Sequence, residues 1–214
     1  MAFGKSKPEA PVAQVAWEGV REFTLGTVER PATRKRNRIG WGAKAIRVPQ
    51  GSKDDRVFAP CAYVGTAGLA LFRDPEATQV LCSVDQRGGH EFVVQDAGGA
   101  TVGTIIRIPS SRPLLRPNWR IEQPGQVDVI GRTEWLSGDA KQLAEKAAGR
   151  LFTGVLDALT GFGAEGGDQP TKERVLEWRA GDDVVMLSEA TKSVTIKAEW
   201  LDRRLAFAYT LVAE

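Results

Sequence analysis

The chain has 214 residues, 42% of them hydrophobic and 26% charged, which is an ordinary composition for a globular protein with a sizeable core. Its two cysteines cannot form a disulfide framework, and their spacing matches no zinc-binding pattern. The net charge of +2 conceals an asymmetry, because residues 1–60 hold twelve Lys and Arg against six Asp and Glu, whereas residues 61–214 hold seventeen against twenty-one.

The N-terminus lacks the apolar stretch of a signal peptide, and no uninterrupted apolar run reaches the roughly 18 residues of a membrane span. We therefore expect a cytoplasmic protein without a transmembrane segment. Buried cysteines acting as small hydrophobic residues fit the same reducing compartment.

Residues 1–60 form a basic N-terminal segment that we expect to be partly flexible. Residues 15–28 favour a short strand pair.

The run 30–38 carries five basic groups and one proline, and it is most simply a solvated loop. The same run is a candidate contact with an anionic membrane surface, at about 1 kcal/mol per charge, or with a protein partner. A nucleic-acid contact is disfavoured, because the run has no interleaved aromatic residues. The candidate contact residues are Arg34, Lys35, Arg36, Arg38 and Trp41.

From Cys61 onward, short apolar or alternating runs are separated by glycine-rich turns, and residues 61–214 are assigned to one β domain. The predicted strands lie within residues 62–72, 78–84, 90–96, 100–108, 118–123, 126–135, 174–180, 183–189 and 193–199. Strands joined by such short turns form hairpins and are antiparallel, since parallel strands need crossover connections of about a dozen residues. Gly103, inside one of these strands, indicates a bulge or the close approach of another backbone.

One helix is predicted between the strands. Residues 139–161 repeat apolar side chains at every third or fourth position, which is the period of an amphipathic helix. Asp139 is a suitable N-cap and Gly161 a suitable end. The polar face balances positive and negative charges, which favours packing against the β domain or a partner helix over a membrane interface.

The last segment, residues 202–214, differs from everything before it. After Asp202 as a cap and two arginines, residues 205–213 are apolar on every face except at Thr210. A helix that is apolar all round is buried, and this one, at about 1.5 Å per residue, fits the interior of a small barrel. A strand is the alternative, because large and small residues alternate along the segment. The residues predicted to lie inside the barrel are Leu205, Phe207, Tyr209 and Leu211.

Hairpin-linked strands followed by an all-apolar helix resemble the tubby C-terminal-like superfamily, which includes tubby proteins, phospholipid scramblases and LURP-one-related proteins. The likeness runs from about Val80 to the C-terminus and is carried by residues 90–107, 118–126 and 200–214. In that family a glycine turn and a strand of the form iGxI precede a strand with an aromatic residue. The resemblance implies a closed antiparallel β-barrel around a hydrophobic C-terminal helix.

The chain departs from the scramblases in its metal and acylation sites. Scramblases carry a calcium-binding acidic segment before the final helix and a cysteine cluster for acylation. Here the corresponding region holds only Glu199 and Asp202 and no cysteine. Calcium-triggered scrambling is therefore not expected, and no cofactor is predicted.

Residues 107–120 concentrate arginines without any intervening acid. Arginine presents a planar fork suited to phosphate, and three prolines stiffen the segment. Tubby proteins bind a phosphoinositide headgroup through basic surface residues, so the resemblance makes an anion site plausible here. The alternative is that these arginines pair with Glu122, Asp128 or solvent. The candidate anion-binding residues are Arg107, Arg112, Arg116, Arg120 and Trp119.

Motifs of catalysis are missing from the sequence. No GxSxG, HExxH or P-loop pattern occurs, and His90 is the only histidine. We therefore expect a protein that is not an enzyme: a binding module for an anionic lipid headgroup or other anionic ligand, peripheral at the inner membrane surface. The alternative is an assembly protein that docks on a partner through the N-terminal segment and helix 139–161.

Overall fold

The structure is a computed structural model that describes residues 10–66, 69–109, 118–132, 175–189 and 193–214. Within these ranges the chain forms twelve strands and one helix. The strands are β1 (Glu22–Arg30), β2 (Gly40–Gln50), β3 (Val57–Val64), β4 (Ala70–Phe72), β5 (Val80–Arg87), β6 (Glu91–Asp96), β7 (Thr101–Ile108), β8 (Asn118–Glu122), β9 (Val129–Arg132), β10 (Val175–Ala180), β11 (Asp183–Glu189) and β12 (Ser193–Ile196). The helix, α1, spans Arg203–Ala213. The helix predicted at 139–161 lies outside the described residues.

The twelve strands close into one antiparallel barrel. Each strand pairs with its neighbours in the chain, and β1 pairs with β12 to complete the ring. Phe23 lies opposite Val194 at this seam. Nearest-neighbour pairing is the arrangement that short hairpin turns impose, so the predicted antiparallel closed barrel is confirmed.

Glycine turns set the hairpins where the sequence predicted them. Gly99, between β6 and β7, has φ +82°, and Gly181, between β10 and β11, has φ +59°. A side chain at either position would strain the left-handed backbone, which glycine adopts at no steric cost. The hairpin register therefore follows from local sequence.

The barrel begins earlier in the chain than the sequence analysis predicted. Residues 15–28 contribute one strand, β1, where a strand pair was predicted, and β2 was not predicted at all. The boundary predicted between residues 60 and 61 falls inside β3. The predicted run 62–72 divides into the end of β3 and the short strand β4. Much of the basic segment is therefore part of the barrel wall.

Helix α1 fills the barrel, as predicted. All four residues predicted to lie inside are buried, and Asp202 is the N-cap, accepting a hydrogen bond from Arg204 N at 2.9 Å. Burial of each large side chain contributes about 1.5–3 kcal/mol. No helix among the described residues is both long and apolar enough to cross a membrane.

Aromatic edges fix the position of α1 against the strands. Phe207 meets Phe23 of β1 edge to face, with ring centroids 4.8 Å apart. Tyr209 lies between Trp119 of β8 and Trp178 of β10, at centroid separations of 5.3 and 4.7 Å. Edge-to-face pairs add about 0.5–1.5 kcal/mol each beyond area burial. The helix therefore ties together strands from separate parts of the barrel wall.

Gly103 in β7 shows both features predicted for it, because the β6–β7 register shifts beside it and another backbone approaches it closely. A Cβ at this position would overlap the carbonyl oxygen of Glu122 in β8 and lie 3.0 Å from Leu205 Cδ2 of α1. Only glycine lets the helix and the neighbouring strand come this near.

Candidate functional site

Residues 26–43, which we call the cationic hairpin, comprise the outer half of β1, the connection to β2 and the first part of β2. The register of the two strands shifts between Gly26 and Val28 and again between Val28 and Arg30. Such irregularities bend a strand pair and increase its twist. The hairpin therefore departs from the regular curvature of the barrel wall.

The bend brings the tip of the hairpin against the β2–β3 connection, residues 51–56. Thr33 Oγ1 donates to the carbonyl of Asp54 at 2.9 Å, and Arg36 Nη1 donates to the carbonyl of Arg56 at 3.0 Å. Connections at the two ends of one strand normally lie at opposite ends of a barrel. Their contact here means that the cationic hairpin folds back toward the end of β2.

Arg47 of β2 lies beneath this fold. Its guanidinium donates to the carbonyls of Gly26 (2.9 Å), Phe58 (3.2 Å) and Ala43, and to Glu29 Oε1 (3.3 Å). The side chain is only 1% exposed. A buried arginine is tolerated when its charge and its donors are matched in this way.

The electrostatic balance of Arg47 is set mainly by burial. Loss of hydration lowers the pKa of the guanidinium, and the Glu29 carboxylate partly restores it by attraction and by a hydrogen bond. Glu29 is thus the acidic counterpart of a charge that would otherwise be costly to bury. Neither residue stands out in the sequence as a site residue.

The outer surface of the cationic hairpin combines basic groups with an exposed tryptophan. The Trp41 side chain is 64% exposed, and Arg34 and Arg38 are also exposed. Lys35 Nζ lies 3.0 Å from Asp55 Oδ2, and this contact lowers the pKa of the Asp55 carboxyl. No acid occurs between residues 30 and 44, so every charged side chain in that part of the hairpin is basic, and the amphipathic Trp41 ring belongs to the same part.

The second predicted site is divided by the sheet. Trp119 faces inward and packs on Tyr209 of α1, so it is a core residue. On the neighbouring strand, Arg107 is paired with Trp119 and lies on the same inward face as Ile105. It is exposed because it is near the end of β7. Adjacent residues of a strand point to opposite faces. Arg120 therefore lies outside the barrel, on the face opposite to Arg107.

Arg120 is held by acidic neighbours. Its guanidinium lies 2.8 Å from Glu122 Oε1 and 3.9 Å from Asp128 Oδ2, which are the partners named in the alternative interpretation. Arg112 and Arg116 lie outside the described residues. The structure therefore does not bring Arg107, Trp119 and Arg120 together as one anion site.

Two further arginines, Arg203 and Arg204, lie at the beginning of α1. Arg203 is buried and donates to the carbonyls of Val20 (2.8 Å) and Leu201 (2.6 Å), among others. Arg204 pairs with Asp202, which raises the pKa of the guanidinium, and it stacks 5.7 Å from the Trp17 ring centroid. These arginines serve to attach the helix to the barrel.

Neither cysteine of the described residues is an activated nucleophile. Burial raises the pKa of the Cys61 and Cys82 thiols to about 12, which keeps both protonated and poorly nucleophilic at neutral pH. His90 is exposed in the β5–β6 turn, and its carbonyl accepts from Arg107 N at 2.7 Å. No group of three or more His, Cys, Asp or Glu in the described ranges could hold a metal ion.

The described residues define a class: an antiparallel twelve-stranded barrel, closed around its C-terminal helix and carrying a cationic, aromatic hairpin on its outside. This architecture is consistent with the tubby-like fold. Comparison with protein-family models, with curated proteins and with solved structures finds no match to the chain.

Proposed function

We propose that this protein is a non-catalytic module that binds anionic lipid headgroups at the inner surface of a membrane, and that the cationic hairpin makes the contact. The single observation that supports this most strongly is Trp41, 64% exposed among basic residues. An isolated tryptophan is costly to leave in water, whereas its amphipathic ring suits the headgroup region of a bilayer.

The charge of the hairpin supports the same proposal. Arg34 and Arg38 are exposed in the same hairpin as Trp41, and each basic group near an anionic membrane contributes about 1 kcal/mol. Lys35 is partly neutralised by Asp55 and contributes less. Because long-range attraction between exposed charges is screened by salt, binding should weaken as ionic strength rises.

The resemblance to the tubby C-terminal-like superfamily supports the same proposal. A closed antiparallel barrel around a hydrophobic helix is what the resemblance to the tubby C-terminal-like superfamily implies, and tubby proteins bind a phosphoinositide headgroup on the barrel surface. On this chain the basic surface that the described residues offer is the cationic hairpin, while Arg120 is engaged by acids.

Flotation with phosphatidylcholine vesicles, with and without phosphatidylserine, tests the proposal. The wild-type protein should float only with the anionic vesicles, and less so at high salt. Replacing Arg34 and Arg38 together with alanine should weaken binding by roughly thirtyfold, the equivalent of about 2 kcal/mol. Trp41→Ala should weaken it as well.

Matched controls remove the same charge or ring elsewhere. Arg73→Ala combined with Lys197→Ala also deletes two exposed cations, and Trp200→Ala deletes another partly exposed tryptophan. Both controls should bind like the wild type. The proposal is wrong if the wild-type protein ignores anionic vesicles, or if the hairpin variants and the controls bind equally. Capture of a partner protein without vesicle binding would favour the assembly alternative.

A further inference from the structure

Arg47 points to the outer face of the barrel, where an arginine is normally exposed to water, and yet it is buried. Its neighbour in β2, Ile46, is fully buried in the barrel core. Strand alternation therefore turns Arg47 outward. Long basic side chains on such a face usually extend their charged ends into solvent. The end of this one is covered by the folded cationic hairpin.

The bonds of Arg47 join the hairpin to the barrel wall. Three of its acceptors, Gly26, Glu29 and Ala43, belong to the cationic hairpin, and the fourth, Phe58, belongs to β3. The β2–β3 register also shifts at Arg47. At this interruption of the backbone hydrogen bonds between β2 and β3, the Arg47 guanidinium hydrogen-bonds to β3 through the carbonyl of Phe58.

Gly42, directly after Trp41, is adapted to the same arrangement. A Cβ at this position would overlap the Glu29 carboxylate. That carboxylate cannot withdraw without leaving Arg47, which lies 3.3 Å from it. The residue next to the exposed tryptophan is thus packed onto the buried ion pair.

The stability of the fold alone does not explain why a charged pair, Arg47 with Glu29, is buried beneath the hairpin. A buried ion pair is often no more stabilising than well-packed apolar residues of similar volume, but it does select one arrangement of the chain. Another charged contact of the hairpin, between Lys35 and Asp55, is largely exposed and so holds the tip only weakly.

We propose that Arg47, paired with Glu29, is the positioning residue of the membrane contact: it fixes the cationic hairpin in its folded-back orientation, so that Trp41 and the exposed arginines face one surface. This inference rests on the proposed function. It assigns to Arg47 an effect on membrane affinity although the side chain itself touches no lipid.

The test compares Arg47→Met with Arg203→Met in full-length protein. Arg203 is likewise buried and bonded to several carbonyls, but it lies where α1 begins. Both variants should lower the thermal midpoint. Per folded molecule, only Arg47→Met should weaken binding to phosphatidylserine vesicles, by about tenfold or more. Glu29→Gln, which keeps an oxygen acceptor, should fall between the wild type and Arg47→Met.

Limited trypsin digestion gives a second measure that does not need lipid. In Arg47→Met, cleavage within the hairpin connection should quicken while the rest of the barrel stays resistant. The sites concerned are Arg34, Lys35, Arg36 and Arg38. Gly42→Ala should act in the same way by displacing Glu29, which keeps the inference testable if Arg47→Met fails to fold.

The outcomes separate the two proposals. If the wild type binds anionic vesicles and folded Arg47→Met and Gly42→Ala bind equally well with unchanged digestion, the positioning inference is overturned while the membrane function stands. If the wild type does not bind but the hairpin of the variants is cut faster, the membrane function fails and Arg47 only holds the hairpin.

Discussion

At the scale of single residues, the arginines of this protein show that surroundings decide a role that residue type leaves open. Arg47 and Arg203 are buried and bonded to carbonyls, Arg120 is paired with acids, and Arg34 and Arg38 are exposed. Sequence clustering drew attention to residues 107–120, yet strand alternation separates Arg107 from Arg120. The separation of Trp119 from Arg120 could have been predicted, since the two residues are adjacent in a strand and must face opposite ways.

Gly131 offers a prediction at this scale. A Cβ here would lie 2.7 Å from Trp178 Cδ2, and that indole is fully buried and donates to Ser188 Oγ at 3.1 Å. Because the ring cannot move without losing its hydrogen bond, Gly131→Ala should lower the free energy of unfolding by about 1–3 kcal/mol. Denaturant titration measures the change.

Gly89→Ala is the matched control for that substitution. Gly89 has nothing within 4 Å of its Cβ position and no positive φ. It should change stability by no more than about 0.5 kcal/mol. Equal effects at the two glycines would show that Trp178 has room to move and would contradict the packing argument.

At the scale of elements, the predictable parts are those whose causes are local. Glycine turns and alternating runs predicted most strands, and the apolar segment after Asp202 predicted α1. Strand β2 was missed because its first part is rich in glycine and its register is interrupted by bulges. In the fold-back of the hairpin, Thr33 and Arg36 contact Asp54 and Arg56, which are distant in the chain, and no local pattern reveals such contacts.

Helix α1 carries a prediction of its own. Phe207 is fully buried and meets Phe23 edge to face, so Phe207→Ala should cost about 3–5 kcal/mol of unfolding free energy. Val212→Ala, at the partly exposed end of the same helix, should cost less than about 1.5 kcal/mol. Urea unfolding of both variants compares them. Similar losses would mean that the interior of the barrel is no better packed than its rim.

At the scale of the whole molecule, the barrel and its central helix depend on each other. A barrel of twelve strands leaves a wide interior that strand side chains alone would fill poorly. The core cluster is continuous from Val20 before β1 to Leu211 in α1, so the last element in the chain completes the packing of the first. A rigid barrel in turn gives the cationic hairpin a fixed base on β2 and β3.

Removal of α1 tests this dependence. A chain that stops at Leu201 should lose cooperative thermal unfolding and bind a hydrophobic dye such as ANS, because the inward faces of the strands would meet water. Glu214 follows the helix and forms an exposed ion pair with Lys44. Removal of Glu214 alone should leave the unfolding transition close to that of the full chain. Circular dichroism melting and dye fluorescence would follow both proteins. If the chain without α1 still melted in one sharp transition and bound no dye, the strands would close without the helix, and barrel and helix would not depend on each other.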